Sequence, residues 1–386
     1  MTSEADSAFA SVSHADVTQL GVTYRGRRVG TLARTFDGLT AFEYDPSWIA
    51  NGFSISPLSL PLRSGVFIPS SDPFDGLFGV FQDSLPDGWG ALLLARMLRK
   101  EGIDPESVSP MTLLSIVGSG GRGGLCYEPE IVLQGSSAVD DLDRLSSICA
   151  DILADRPVDD LDEAYKAGGS SAGARPKAYI ERGGTQWLVK FPSSMDPAGI
   201  GSMEYAYSLA AQDCGLHMPR TQLMPSRTCD GYFATERFDR DADGIGVHMI
   251  TASGLLEVSH RFPVLDYKNL FQATQVLTRD LEQTKELYRL MCFNVFAHNQ
   301  DDYSNNFAWL YEEGIWKLSP AYDLTYSTSF GDEHATMVNG RGKPGLEDVV
   351  SLGVEAGVPI KDTREMAKGI ERRCKELLSS LGLDSR

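Results

Sequence analysis

The sequence predicts an α+β chain, with a mixed α/β N-terminal part and a mainly helical C-terminal part. Three observations carry this. Period-two apolar alternation, broken by Asp-Gly or Gly-Gly pairs, recurs between Val17 and Phe238, as antiparallel hairpins require. After Asp239 the apolar spacing shifts to the three-and-four rhythm of helices. One further hairpin, turning at Glu312-Glu313-Gly314, interrupts that helical stretch.

In order along the chain, residues 1–15 are polar and expected to be frayed. Strands are expected at 17–24, 29–36 and 39–44, with turns at Arg25-Gly26 and Asp37-Gly38. Trp89, Leu92, Leu93, Arg96, Met97 and Lys100 lie at helical spacing, with Pro86 acceptable in the first turn. The stretch 134–160 is polar but places Leu142, Leu145, Ile148 and Ile152 at helical intervals. A Gly/Ser-rich run, 168–175, leads into strands 178–182 and 186–191, joined through Gly183-Gly184. Met203, Ala206, Tyr207, Ala210 and Cys214 share a helix face that Gly215 would end. Strands 221–224 and 232–238 turn at Asp230-Gly231. Helices follow at 267–277, 281–297 and from about 363, where Asp362 and Glu365 are spaced as a capping pair.

The 386 residues suffice for two or three domains with sizeable cores, and 42% hydrophobic with 23% charged content is ordinary for a globular protein. A net charge of −18 excludes a chain that grips nucleic acid by itself, because neutralising phosphates needs a Lys/Arg excess. Joining a DNA complex through a basic partner stays open. The six cysteines show no CxxC and no pairing with histidine, which fits structural thiols in a reducing cytoplasm. The opening Met-Thr-Ser-Glu-Ala-Asp lacks the regions of a signal peptide, and no apolar run approaches the ~18 residues of a membrane span. A cytoplasmic protein with no membrane partner is expected.

Chemistry concentrates in Asn299-Gln300-Asp301-Asp302-Tyr303-Ser304-Asn305-Asn306 together with Asp323. Phosphoryl transfer from Mg-ATP needs one acid to orient the attacking hydroxyl, and an amide and a later acid to hold magnesium on the phosphates. The Asp301-to-Asn306 spacing is that of a protein-kinase catalytic loop, without the usual His-Arg-Asp lead-in. A plain Asp/Asn-rich turn is the alternative. The last hairpin, 306–311 with 315–318, would bring Asn306 at its start beside Asp323 just past its end.

Lys190, in the middle of an apolar strand, is either an edge residue snorkelling to water or a lysine on ATP phosphates. In the second reading Glu204 of the next helix steadies it, although Glu204 also suits an early helical turn on its own. The Gly/Ser run is a phosphate cradle aided by Arg175 and Lys177, or else a flexible linker. Gly118-Ser119-Gly120-Gly121-Arg122-Gly123 matches GxGxxG, but Gly124 and Pro129 oppose the helix a dinucleotide site requires. There is no Walker A loop and no Ser nucleophile elbow. The six histidines lack metal-ligand spacing, and His298 reads as a packing or hydrogen-bonding residue.

Several motifs, in this order, carry a family resemblance. They are Val29-Gly30-Thr31-Leu32, Phe42-Glu43-Tyr44-Asp45, Asp83-Ser84-Leu85-Pro86-Asp87-Gly88-Trp89-Gly90, and Ser171-Ala172-Gly173-Ala174-Arg175-Pro176-Lys177-Ala178. Leu188-Val189-Lys190-Phe191, Glu236-Arg237-Phe238-Asp239-Arg240 and Pro320-Ala321-Tyr322-Asp323 follow. The chain resembles the HipA-type serine/threonine kinases, toxin partners in bacterial HipA–HipB toxin–antitoxin modules. The resemblance implies a kinase-like two-lobe fold: an N-terminal subdomain (16–130), a kinase N-lobe (131–239) and a helical C-lobe (240–386). It implies ATP and Mg2+, with Lys190 on the phosphates, Asp301 as catalytic base, and Asn306 and Asp323 as magnesium ligands. Ser171, Ala172, Gly173, Lys177 and Glu204 would complete the nucleotide site, and Glu236 and Phe238 match the segment that receives adenine. It implies autophosphorylation of a loop serine, Ser170 by alignment with Ser171 the near alternative. The implied partners are a HipB-like DNA-binding antitoxin, with DNA reached only through it, and a protein substrate. Family targets include aminoacyl-tRNA synthetases.

Two departures stand out. The family loop commonly reads Asn-x-Asp-x-His-x-Lys-Asn, whereas Tyr303 and Asn305 occupy the His and Lys positions here. Losing that lysine removes a positive charge near the phosphates. Two other readings are a catalytically inactive kinase fold serving as co-repressor, and a kinase for a small molecule. The retention of Lys190, Glu204, Asp301, Asn306 and Asp323 favours the active protein kinase.

Overall fold

The computed structural model describes residues 17–131, 141–329 and 331–383, so the expected frayed start lies outside the described residues. Two compact units emerge: Met1–Ala198 with Met224–Ile250 and Gly254–Glu257, and Gly199–Leu223 with Thr251–Ser253 and Val258–Arg386. The α+β fold class expected from the sequence is the one observed.

The first unit opens with β1 (Gln19–Tyr24), β2 (Arg27–Arg34), β3 (Thr40–Tyr44), β4 (Val66–Phe67) and β5 (Leu125–Glu128). They form an antiparallel sheet in the order β4-β3-β2-β1-β5. The β1–β2 turn needs left-handed backbone at both Arg25 (φ 50°) and Gly26 (φ 71°), the geometry that matches strand twist. Leu20, Val22, Leu32 and Phe42 are fully buried, and Trp48 joins them from a short helix, Pro46–Asn51, whose N-cap Asp45 accepts from Ser47 N at 2.8 Å.

A second core lies under β6 (Lys177–Arg182) and β7 (Thr185–Lys190). The helix Trp89–Lys100 begins after Gly88, so Pro86 stands outside it rather than in its first turn. It inserts Trp89, Leu93 and Met97 among Leu145, Ile148 and Ile152 of the helix Leu142–Leu153 and Ala178, Val189 and Phe191. Deleting one such side chain costs about 2–5 kcal/mol. Among the remaining strands, β8 (Thr221–Met224), β9 (Tyr232–Glu236) and β10 (His248–Thr251), β9 pairs antiparallel with β7. Lys190 therefore lies on a strand hydrogen-bonded on both sides, and it is 7% exposed, which excludes the snorkelling edge residue.

The second unit is mainly helical: Ile200–Asp213, Tyr267–Thr278, Leu281–Phe296, Leu346–Glu355 and Ile360–Ser380. Asp266 and Asp280 cap the second and third of these by accepting from Lys268 N and Glu282 N, both at 2.9 Å. The long buried helix Leu281–Phe296 is tied by Tyr288, whose hydroxyl donates to Thr363 O at 3.1 Å. The expected Asp362–Glu365 capping pair is not the helix start. Pro359 precedes the first helical residue, Ile360, and Asp362 sits inside the first turn. β11 (Ala308–Glu312) and β12 (Ile315–Leu318) form the expected hairpin, with Trp309 opposite Leu318.

Candidate active site

The helix Leu281–Phe296 ends at Phe296, and the octapeptide 299–306 follows as irregular backbone closed by a short 3-10 turn, Ser304–Asn306. Asn306 thus precedes the strand instead of opening it. Its side-chain amide donates to Asp301 O at 2.7 Å, and Asp301 N donates to Ser327 Oγ at 2.9 Å. Both backbone groups of Asp301 are held while the residue is exposed. Upstream, Asn299 Nδ2 donates to Asn294 Oδ1 on the buried helix at 2.9 Å. The loop is anchored on either side of the acid it displays.

The hairpin brings together residues adjacent to Asn306 and Asp323. Ser319 N donates to Ala308 O at 2.9 Å, and the Tyr322 hydroxyl donates to Asn305 O at 2.6 Å. The neighbours of Asn306 and Asp323 are in direct contact. Asp323 adopts φ 57°, a left-handed conformation that aspartate tolerates better than most side chains. Among the described residues no group of three or more His, Cys, Asp or Glu side chains is placed to hold a metal. One carboxylate and one amide oxygen still fit magnesium, which keeps waters and takes nucleotide phosphates as its remaining ligands.

Sequence reasoning missed Asp302. It is 0% exposed. Its carboxylate accepts from the Tyr267 hydroxyl at 2.9 Å and from Thr336 N at 3.2 Å, and lies 3.1 Å from His334 Nδ1. Thr336 Oγ1 donates to its backbone carbonyl, and Asn294 Nδ2 donates to the Tyr267 hydroxyl at 2.9 Å. Burial pushes the Asp302 carboxyl above the usual carboxylate range, with the His334 contact opposing. Asp301 and Asp302 therefore do different things, one displayed and one locking the loop to the helix Tyr267–Thr278 and to the segment 331–337.

The first unit holds Ser170 to Gly173, Lys177, Lys190, Glu236 and Phe238. Lys177 and Lys190 are directly opposite each other in the β6–β7 register, so their side chains share a face, and they are 6% and 7% exposed. Lys177 Nζ donates to Ala172 O, and Lys190 Nζ lies 5.7 Å from the centroid of the Phe233 ring. In the Gly/Ser loop, Gly173 has φ 83°, Ser171 is 0% exposed with its hydroxyl donating to Gly168 O at 2.5 Å, and Ser170 is half-buried. Arg175 donates to Asp196 at 2.9 Å.

Glu236 ends β9 opposite Trp187, and Phe238 follows, half-buried. Behind them Asp239 binds Arg237 at 2.7 Å, Arg240 at 2.9 Å and Gly123 N at 2.9 Å. Burial would raise the Asp239 carboxyl, but the two guanidinium groups and the Gly123 amide outweigh it and hold it down at about 2. The GxGxxG look-alike lies between the helix Pro110–Val117 and β5, and its carbonyls at Gly121 and Gly123 receive Arg240, so it braces this segment. Glu204, 1% exposed, belongs to the second unit with Asp301, Asn306 and Asp323, while Lys190 belongs to the first.

The HipA N-terminal domain matches residues 20–128 and the HipA-like C-terminal domain matches residues 169–380. A putative kinase of Sinorhizobium fredii (strain NBRC 101917 / NGR234), Y4dM, is 26% identical over 80% of this chain and 77% of its own. A second from the same strain, Y4mE, is 26% identical over 85% of this chain and 81% of its own. A chain in the solved complex of HipA, HipB and operator DNA from the Shewanella oneidensis MR-1 toxin–antitoxin system has a TM-score of 0.70 at 16% identity, covering 95% of this chain and 91% of that one. No helix among the described residues is long and apolar enough to cross a membrane. The chain belongs to the HipA family.

Proposed function

We propose that this protein is an ATP- and Mg-dependent serine/threonine protein kinase, the growth-arresting toxin of a toxin–antitoxin pair. The observation that carries the reading is the pair of adjacent acids in the loop 299–306: Asp302 buried and fully engaged, Asp301 exposed on a backbone fixed at both its N–H and its carbonyl. A carboxylate presented this way accepts the proton of an incoming hydroxyl without having to be ordered first. Two buried lysines facing one another across a strand pair repel, and a polyphosphate relieves that repulsion. Magnesium, when bound, neutralises developing charge on the phosphates, with Asn306 and Asp323 as its protein ligands. Lys190 orients the phosphates, and the segment at Glu236 and Phe238 takes adenine.

The acceptor is a protein serine or threonine, in keeping with the toxins of this family, with a translation protein such as an aminoacyl-tRNA synthetase as the target class. The burial of Ser171 supports Ser170 as the autophosphorylated residue. A HipB-like antitoxin is the partner, in line with the HipA–HipB complex that shares this fold. Induced expression in a bacterial host tests the reading. Growth arrest with new phosphoserine or phosphothreonine on a host protein is expected, and Asp301→Ala abolishes both. Arrest that persists in Asp301→Ala contradicts it.

A further inference from the structure

The turn Asp87-Gly88-Trp89-Gly90 belongs to the stretch matched by the HipA N-terminal domain, yet it is seated directly on the Gly/Ser loop of the C-terminal domain. Asp87 N donates to Ser171 O at 3.2 Å, and Trp89 N donates to Gly173 O at 2.9 Å. The Trp89 indole N–H donates to Lys177 O at 3.1 Å. Both glycines are required by closeness of approach. A methyl group on Gly88 would stand 2.6 Å from the Gly173 carbonyl, and one on Gly90 would stand 2.2 Å from Ser171 O and 3.0 Å from Gly169 O. Trp89 is 1% exposed within the core that also contains Ala178, Val189 and Phe191. The turn is fixed to the strands that carry Lys177 and Lys190.

We infer that the turn 87–90 is a positioning element that clamps the loop 168–177 in its phosphate-binding conformation. Three donors hold the carbonyls of Ser171, Gly173 and Lys177. Carbonyl dipoles engaged on the turn's side are kept from facing an anion on the other, where backbone N–H groups serve. The N-terminal domain thereby sets the nucleotide affinity of its neighbour. This deepens the nucleotide-binding reading and rests on it for the second of two readouts.

Gly90→Ala is the decisive variant, because alanine is intrinsically favoured over glycine inside a helix. Any loss must then come from the collision with Ser171 and Gly169. Gly369→Ala, in the open on the C-terminal helix, is the matched control. The first readout is hydrogen exchange of 168–177 without nucleotide. Exchange about tenfold faster in Gly90→Ala than in wild type or the control is expected, and unchanged exchange overturns the clamp. The second is titration with Mg-ATP, where binding about tenfold weaker is expected and unchanged or tighter binding overturns the positioning role. If Gly90→Ala does not fold, Trp89→Phe keeps the ring buried and removes one donor, with the same directions expected in both readouts. A wild-type protein that fails to bind Mg-ATP refutes the nucleotide reading, while the exchange comparison still decides the clamp.

Discussion

Asp301→Asn and Asp302→Asn should fail in opposite ways. The Asp302 carboxylate accepts from Tyr267 and Thr336 and faces His334 in the interior. An asparagine keeps one acceptor oxygen and substitutes an NH2 group for the other. With the oxygen left towards Thr336 N, the NH2 confronts the Tyr267 hydroxyl and His334 Nδ1. Losing a charge-assisted bond costs about 1.5–3 kcal/mol, and a buried donor without its acceptor costs about 1–3 kcal/mol more. Asp302→Asn should therefore lose about 3–5 kcal/mol, a large share of the roughly 5–15 kcal/mol of an ordinary domain. Asp301→Asn alters an exposed side chain and should stay within about 0.5 kcal/mol of wild type. Its phosphoryl-transfer rate should fall about 100- to 10,000-fold, the usual contribution of a general base. Urea unfolding by circular dichroism, beside transfer rates, reads both. An Asp302→Asn protein as stable as wild type, or an Asp301→Asn protein destabilised by about 2 kcal/mol or more, would refute the division of labour.

Lys190→Ala should weaken Mg-ATP binding about 10- to 100-fold by calorimetry, since a charge-assisted contact of about 1.5–3 kcal/mol is lost. Asp323→Asn, which suits the left-handed backbone as aspartate does, should raise the magnesium concentration needed for half-maximal transfer, measured by magnesium titration, while leaving thermal stability near wild type. The fold should lose stability in two acid steps. His248, buried against Ile55 O at 2.8 Å, has its imidazole lowered from 6.5 to about 4 by burial. The unfolded chain takes up that proton first, so about 3 kcal/mol is lost as pH falls from 6.5 to 4. Asp239, held at about 2 against 3.8, contributes above 3.8, and about 2 kcal/mol is lost as pH falls through 2. Denaturation against pH should show both slopes, the first absent in His248→Asn and the second in Asp239→Asn.

Features set by neighbouring residues were legible in the sequence. Arg25-Gly26 and Gly183-Gly184 adopt the left-handed pairs that tight hairpins need, and Gly215 ends its helix at φ 78°. The helix carrying Leu145, Ile148 and Ile152 follows from spacing alone. Features set by distant contacts were not. Nothing local separates Asp301 from Asp302, whose lock comes from Tyr267, 35 residues before it, and His334, 32 after it. The spacing of Asn306 and Asp323 from Asp301 and the hairpin between them were legible. The 3-10 turn at Ser304–Asn306 is not, because its bond from Asn306 N to Tyr303 O competes locally with strand pairing. The glycines of Asp87-Gly88-Trp89-Gly90 look like turn residues in sequence. Their necessity appears only where the backbone of 171–173 passes over them.

Transfer of labelled γ-phosphate from Mg-ATP by the purified protein tests the central claim most directly. The account predicts magnesium-dependent label on Ser170 or on an added protein acceptor, formed about 100-fold or more slowly in Asp301→Asn although that variant remains folded and binds Mg-ATP. Label formed at the wild-type rate in Asp301→Asn, or a wild-type protein that binds no Mg-ATP and transfers no phosphate to itself or to lysate proteins, would contradict it.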